Sequence, residues 1–413
     1  MEEALLARGG FASASRDADL VVVNTCSVTA TADQGARQTI RRIARENPNA
    51  RIVATGCYAT RCPDEVAALA NSVRVVRNDD KLEFLRPRSS SAIERAVEFE
   101  WPSASTDHDG PCGKAIEPGV AGRTAFTIRA QTGCEEACSY CIIPSTRGAS
   151  RSVPAGDLIR DVRRAADAGF KEVTLTGVHL GSYGRDLLPR SSLLDLLHAM
   201  EQMPGDVTFR ISSLEPMDCP RAIVDLVAAS GRFLPHFHLP LQHASDRMLR
   251  AMRRPYTLDG YRAVVDAIRT RLPHAAIGSD VIVGFPGEHA ADIEAQFAYL
   301  ASSPLTHLHV FPYSDRPGTA AAAMDGKVHG TLVRDRGLAL RAIGASLARR
   351  FHESQAGSVR PGLTLDDGTL VVTDNYLKVR IPPGTPRNTR VLVRIPSADP
   401  PASAPPTSAV PTP

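Results

Sequence analysis

Three cysteines at C-x3-C-x2-C spacing, Cys134, Cys138 and Cys141, carry the most specific chemistry in this chain. They lie in the stretch GCEEACSYCIIPSTRG, residues 133–148. Three thiolates on one short loop can ligate three irons of a cubane cluster and leave the fourth iron open to a further ligand. Structural zinc is the competing reading. It asks for a fourth ligand, usually from a second C-x2-C or H-x3-H pair, and none follows here. A disulfide framework suits small secreted chains rather than one of 413 residues.

Two further cysteines stand where an α/β sheet presents ligands. Residues 19–25 (DLVVVNT) read as a buried parallel strand ending at Cys26, and 51–55 (RIVAT) as a second ending at Gly56 and Cys57. Helical spacing fills 29–47, with Thr31 and Gln34 as a capping box and Ile40, Ile43 and Ala44 on one face. It returns in 63–70, before a third strand at 73–76. This βαβαβ order predicts a small doubly wound α/β domain over 1–100. Cys26 and Cys57 would then sit at carboxyl ends of strands, the edge where open sheets bind ligands. By position alone, the pair fits buried structural thiols as well.

The elements that must position the cysteine loop follow a linker. Residues 87–118 lose periodicity and collect Ser, Pro, Asp and Gly, and 101–122 is read as the linker. From 123 to 350, strands at 125–130, 172–176, 207–211, 236–241, 276–283 and 306–311 alternate with helices. Six such strands imply a parallel barrel or part-barrel, with its site at the strand carboxyl ends. The polar residues there are candidate ligands: Thr176, Gly177 and His179; Ser212, Ser213 and Glu215; Gln242 and His243; Asp280, Gly284, Gly287 and Glu288. Glycines let backbone approach a ligand, and carboxylates and amides bind hydroxyl or ammonium groups. Each residue is also at home as a cap or turn. Arg147 and Arg151 could face a carboxylate or phosphate, and Tyr313, Ser314 and Arg316 could close the substrate side. His236 and His238 alternate along one strand, and one of them is expected to face the core.

Residues 351–395 read as short strands with Gly, Pro and Asn turns, a small β domain. Lys378, Arg380, Arg387, Arg390 and Arg394 would form a basic face, with Tyr376 as a stacking residue. A capping hairpin with solvated charges is the plainer alternative. The tail, 396–413, is Pro, Ser and Ala and is expected to be disordered.

A net charge of +3 permits an RNA partner without demanding one. No apolar run reaches the ~20 residues that span a bilayer, and the N-terminus lacks a signal peptide's basic flank and apolar core. Eight cysteines without an export signal point to a reducing, cytoplasmic setting and no membrane partner.

With Tyr140 before its last cysteine, the loop resembles the signature of the radical S-adenosylmethionine (SAM) enzymes. NTCSVT, ATGCYA, GVHLGSYGRDL, RISSLEPMD, FPYSDRPGT and TDNYLKVRI are similar to segments of the tRNA and ribosomal-protein methylthiotransferases. Within that family GVHLGSYGRDL, RISSLEPMD and FPYSDRPGT resemble the branch acting on N6-threonylcarbamoyladenosine beside the tRNA anticodon. The resemblance spans residues 2–395. It implies an auxiliary-cluster domain (1–100), an incomplete (β/α)6 radical SAM barrel (123–350) and a TRAM-like RNA-binding domain (351–395), which looks short for a TRAM barrel.

It also implies two [4Fe-4S] clusters and SAM. The catalytic cluster would sit on Cys134, Cys138 and Cys141, and the auxiliary one on Cys26, Cys57 and a third cysteine. SAM contacts would come from Tyr140, Thr176, Gly177, His179, Ser213, Glu215, Gln242, Asp280 and Gly284. The implied reaction adds a methylthio group to C2 of N6-threonylcarbamoyladenosine. Its partners would be a tRNA anticodon stem-loop, an electron donor such as flavodoxin or ferredoxin, and a sulfur donor. A methylthiotransferase acting on isopentenyladenosine tRNA or on a ribosomal protein is an alternative, as is a non-enzymatic RNA-binding metalloprotein. One departure stands out. The family's first cysteine ends a strand that precedes the helix in which this chain opens, at 2–10, so either the natural chain starts further upstream, which is the expectation, or the auxiliary cluster is incomplete in this chain. Cys62 begins the next helix and is ill placed to substitute.

Overall fold

The computed structural model describes residues 13–27, 29–78, 124–397 and 409–411, with the isolated positions 11, 80 and 118. The chain divides into two compact units. The first comprises Met1–Ile116, Cys141–Gly148 and Ser314–Gly318; the second comprises Glu117–Tyr140, Ala149–Tyr313 and Thr319–Pro413. Apart from Pro118, the linker at 101–122 lies outside the described residues, as does the opening stretch 2–10.

In the first unit, β1 (Leu20–Thr25), β2 (Arg51–Gly56) and β3 (Val73–Val76) form a parallel sheet in the order β1-β2-β3. The order runs one way. The reversal that defines a doubly wound sheet needs a strand on the far side of β1, and no described residue supplies it. β1 is accordingly an edge strand and only half-buried, not buried as its composition suggests, whereas β2 is buried from Ile52 onward. The helix Ala30–Glu46 turns Ala36 and Ile40 onto a core with Ala54, Tyr58, Ala59 and Val66. Its cap is Thr29 rather than Thr31: the Thr29 hydroxyl accepts from the Ala32 amide at 3.1 Å.

In the second unit, β4 (Phe126–Thr132), β6 (Glu172–Gly177) and β7 (Thr208–Ile211) pair in parallel, with the short β5 (Arg151–Ser152) antiparallel on the edge of β4. A second parallel sheet holds β8 (His236–His238), β9 (Ala276–Val283) and β10 (His307–Pro312). Helices Ala155–Asp167, Leu193–Glu201, Arg221–Ala229, Leu258–Arg271 and Ala290–Ser302 separate these strands. The two sheets meet at a loose seam, bridged in parallel at Phe209 and Phe233 and by Leu214 N–H donating to the His238 carbonyl at 2.9 Å. Six parallel strands in chain order thus make a split part-barrel. β8 is shorter than expected because Pro240 has no N–H for the ladder. Pairing resumes at the isolated bridge of Gln242 with Val281.

His236 and His238 are both buried. Residues two apart on a strand share a face, so the expectation that only one turns inward is corrected. Their rings continue into His307 and His309 of β10, with centroids 6.0 Å apart for His236–His307 and 5.3 Å for His238–His309. Gly278 on the intervening strand makes room: a Cβ there would lie 2.1 Å from His307 Nε2.

The 26-residue helix Gly330–Gln355 leads to an antiparallel sheet in the order β13-β12-β11-β14-β15. Its strands are β11 (Val359–Leu365), β12 (Leu370–Thr373), β13 (Lys378–Arg380), β14 (Arg390–Arg394) and β15 (Ala409–Pro411). Val371, Val379, Ile381, Val391, Val393 and Ile395 form its core. Ala409–Pro411 belongs to the tail expected to be disordered, yet it pairs with β14, whose outer edge otherwise offers unpaired backbone groups. Tyr376, at φ +68°, lays its ring 4.5 Å from His236, with the Arg210 guanidinium 5.0 Å from its centroid. One side of the expected stacking residue is therefore covered. Arg387 and Arg394 donate to the carbonyls of Asp366 and Gly357, and Arg390 pairs with Asp206 at 2.7 Å. Lys378 and Arg380 remain exposed.

Candidate active site

Cys134 and Cys138 lie in the loop that leaves the carboxyl end of β4, and Cys141 follows on the same continuous stretch. Gln131, fully buried on β4, anchors the loop. Its Nε2 donates to the carbonyls of Thr132 and Gly133 at 2.9 and 2.7 Å, while its Oε1 accepts from the His179 amide at 2.8 Å. Further along, Ser139 donates from N–H to the Met252 carbonyl and from its hydroxyl to the Ala251 carbonyl, at 3.1 and 2.8 Å. Backbone amides point at sulfur: Glu136 N–H to Cys134 Sγ and Ile143 N–H to Cys141 Sγ, both at 3.4 Å.

Two cations stand behind the thiols. Arg254 Nη1 donates to Cys138 Sγ at 2.9 Å, its Nη2 pairs with Glu215, and its Nε donates to the Tyr256 hydroxyl at 3.1 Å. Burial disfavours the charge on Arg254, but Tyr140, Tyr256 and Cys138 outweigh it and its pKa is raised. His179 Nδ1 lies 3.9 Å from Cys134 Sγ, and its Nε2 lies 2.7 Å from Asp218 Oδ2. Burial pulls the imidazole down; Asp218 and Cys134 reverse this and raise it to about 9. Burial raises the Cys138 thiol, against the pull of Arg254. Beside this loop a cavity of about 280 Å³ is lined by Glu135, Glu136, Arg185 and Asp186 as well as His179. Soft thiols met by N–H donors and buried cations suit an anionic iron–sulfur cluster.

The other expected SAM ligands fall into two groups. Ser213 Oγ lies 2.9 Å from His238 Nδ1, and Asp280 Oδ1 lies 3.1 Å from His238 Nε2 and 3.0 Å from His309 Nδ1. Burial raises the Asp280 carboxyl, and the two imidazoles overcome this and lower it. Gln242 sits at the end of this sheet with φ +67°, uncommon for a residue with a side chain. Tyr140 packs edge-on to Phe285 at 6.4 Å, beside Met248, Met252 and Ala321. The remainder serve the backbone. Thr176 donates to the Ile128 carbonyl at 2.9 Å. A Cβ on Gly177 would meet Leu180 Cα at 2.9 Å, and one on Gly284 would meet Val333 Cγ2 at 2.5 Å. Arg254, Asp218 and Gln131 were not singled out by sequence. Asp218 stands three residues after Glu215, but Arg254 is far from the cysteines in the chain.

In the first unit, Thr25 and Gly56 are paired in register, so Cys26 and Cys57 leave adjacent strands at the same level. Cys26 is exposed and Cys57 buried. Gly56 has φ +101°, and a Cβ there would lie 2.1 Å from the Thr25 carbonyl oxygen. Ser27, next to Cys26, donates to Asp33 Oδ1 at 2.7 Å; Asp33 Oδ2 takes Arg61 at 2.5 Å and Arg316 at 2.8 Å. Arg316, expected to close the substrate side, is instead a buried structural cation of this unit. Cys62 ends one short helix and starts the next, beside the core of the unit.

A profile of the Radical SAM superfamily matches residues 128–300, and that of the Uncharacterized protein family UPF0004 matches 1–77. The radical S-adenosylmethionine methyltransferase TsrM from Kitasatospora setae, solved with tryptophan substrate and the SAM analog aza-SAM, aligns with a TM-score of 0.53 at 17% identity. That alignment covers 73% of this chain and 64% of TsrM, a likeness of fold. Fold and cysteine loop together define a radical SAM protein. Threonylcarbamoyladenosine tRNA methylthiotransferase MtaB of Aquifex aeolicus (strain VF5) is 33% identical over 369 residues, 88% of this chain and 87% of that protein. The MtaB of Bacillus subtilis (strain 168) is 34% identical over 373 residues, 88% and 82% of the two chains. The chain belongs to the MtaB family of methylthiotransferases. The tRNA-2-methylthio-N(6)-dimethylallyladenosine synthase of Corynebacterium glutamicum (strain R) is 32% identical, over 80% of this chain but 65% of its own length.

Proposed function

We propose that this protein adds a methylthio group to C2 of N6-threonylcarbamoyladenosine beside the anticodon of tRNA. The observation that carries the reading is identity with MtaB proteins over most of both chains, with the cysteine loop at the carboxyl end of the first barrel strand. An aromatic C–H bond is beyond acid–base side chains, and the [4Fe-4S] cluster with SAM supplies the one-electron chemistry and the 5′-deoxyadenosyl radical that can break it.

Cys134, Cys138 and Cys141 hold the cluster. Glu215 and Arg254 present opposite charges beside Cys138 and suit the ammonium and carboxylate of the SAM methionine. Asp280, oriented by His238 and His309, suits ribose hydroxyls. The apolar packing of Tyr140, Phe285, Met248 and Met252 keeps water from that side of the loop. Cys26 and Cys57 hold the auxiliary cluster with a third cysteine. A flavodoxin or ferredoxin supplies electrons, a separate donor supplies sulfur, and the β11–β15 sheet takes the role of a TRAM domain toward tRNA. Among the described residues no helix is long and apolar enough to cross a membrane, and we place the reaction in the cytoplasm with its tRNA.

Anaerobic reconstitution tests the reading. The wild-type protein is expected to bind iron and sulfide and to release 5′-deoxyadenosine from SAM under a reductant. Cys134→Ala is expected to lose about four irons and the SAM cleavage. Bound zinc with no iron would contradict it.

A further inference from the structure

The imidazole of His179 is fixed on every side, more firmly than a space-filling residue needs. Its backbone N–H donates to Gln131 Oε1 at 2.8 Å. Nε2 lies 2.7 Å from Asp218 Oδ2, and the other Asp218 oxygen accepts from Arg185 at 3.1 Å. Gly181 is what lets Asp218 come so close: a Cβ at 181 would lie 2.1 Å from the Asp218 Cβ. On the opposite side, Nδ1 faces Cys134 Sγ at 3.9 Å and Glu136 Oε1 at 3.8 Å. The whole residue is 6% exposed. Both ring nitrogens therefore have partners within the protein.

We propose that His179 is a positioning residue that donates from Nδ1 to the Cys134 thiolate and thereby sets the reduction potential of the catalytic cluster, with Asp218 holding the ring in place. The inference rests on the cluster reading above. Reduction by one electron, drawn from the external donor, adds negative charge to the cluster and its sulfurs. A fixed N–H donor stabilises the more negative state more strongly, so it raises the potential. Ligand orientation by a carboxylate behind an imidazole is a general device at metal sites. Here it acts one step removed, through the donor to a ligand.

The test compares reconstituted wild type, His179→Gln and His179→Phe by iron content and by a potentiometric titration read by electron paramagnetic resonance. The signal to follow is the one that Cys134→Ala abolishes. With iron unchanged, the midpoint is expected to move to more negative values in His179→Phe, and by less in His179→Gln, which keeps a neutral donor. Full iron with the wild-type midpoint in both variants would overturn the proposal. Should His179→Phe hold less iron, wild type carrying ring-15N histidine decides. A 15N hyperfine coupling to the reduced cluster supports the donor, and its absence overturns it. Wild type without iron would remove the cluster reading itself, an outcome the iron count tells apart from an unmoved midpoint.

Discussion

Arg254 Nη1 donates to Cys138 Sγ at 2.9 Å, while the same guanidinium pairs with Glu215. The arrangement mirrors that of His179, which is held by Asp218 and faces Cys134. Each of these two thiols is met by a donor, and each donor has a carboxylate behind it.

Breaking the arginine pair from one side should cost more than deleting it. Arg254→Met leaves the half-buried Glu215 without its cation beside a half-buried thiol, and a loss of about 3 kcal/mol is expected. Adding Glu215→Leu removes the stranded charge and should restore most of it. Urea unfolding of the three proteins under argon checks this; an additive double variant would contradict it.

The buried Asp33 gives the corresponding prediction for the first unit. Asp33→Ala removes the carboxylate that Arg61, Arg316 and Ser27 share. Amide exchange is expected to quicken along Ala30–Glu46 and at Ser27, with the second unit unaffected. Protection unchanged in that helix would show that the network does not stabilise it.

The histidine column predicts an acid limit. Burial, then His238 and His309, lower His307 to about 4, and burial and Arg210 hold His236 well below the usual imidazole range. A group whose folded pKa is depressed binds fewer protons folded than unfolded. Stability is thus complete above the unfolded value of about 6.5 and is lost as pH falls from there toward 4. Urea midpoints should drop between pH 7 and pH 5, and His307→Gln should flatten that drop. An identical slope in the variant would contradict the assignment.

Glycine 278 should be intolerant. Gly278→Ala drives a methyl into the His307 ring, and a loss of about 1–3 kcal/mol is expected from overpacking. Gly231→Ala, where a Cβ meets nothing within 4 Å, is the control and should be near neutral. Thermal unfolding of both decides it.

The parts of this fold that sequence reveals are those encoded within one short window. The cysteine loop is legible because its ligands fall within eight residues. The strands are legible because each is a compact apolar run, so Cys26, Cys57 and Asp280 stand where the pattern puts them. What sequence hides is pairing across distance. Arg254 reads as one of two arginines after a short helix, and nothing local ties it to Cys138. Arg316 follows a barrel strand in the chain but ends in the first unit's buried network. Tyr376 is exposed on one side, but a left-handed backbone turns its other side onto His236, a pairing that nothing local in the sequence records. The strand order of the first sheet, too, is set by which edges find partners, which composition does not record.

The central claim is the modification itself, and nucleoside mass spectrometry tests it most directly. The chain would be expressed in a bacterial strain that retains N6-threonylcarbamoyladenosine but lacks its methylthio derivative, beside Cys134→Ala. The expected result is 2-methylthio-N6-threonylcarbamoyladenosine in tRNA from cells with the wild-type chain and none with the variant. A methylthio group found on isopentenyladenosine instead, or the same product with Cys134→Ala, would contradict the account.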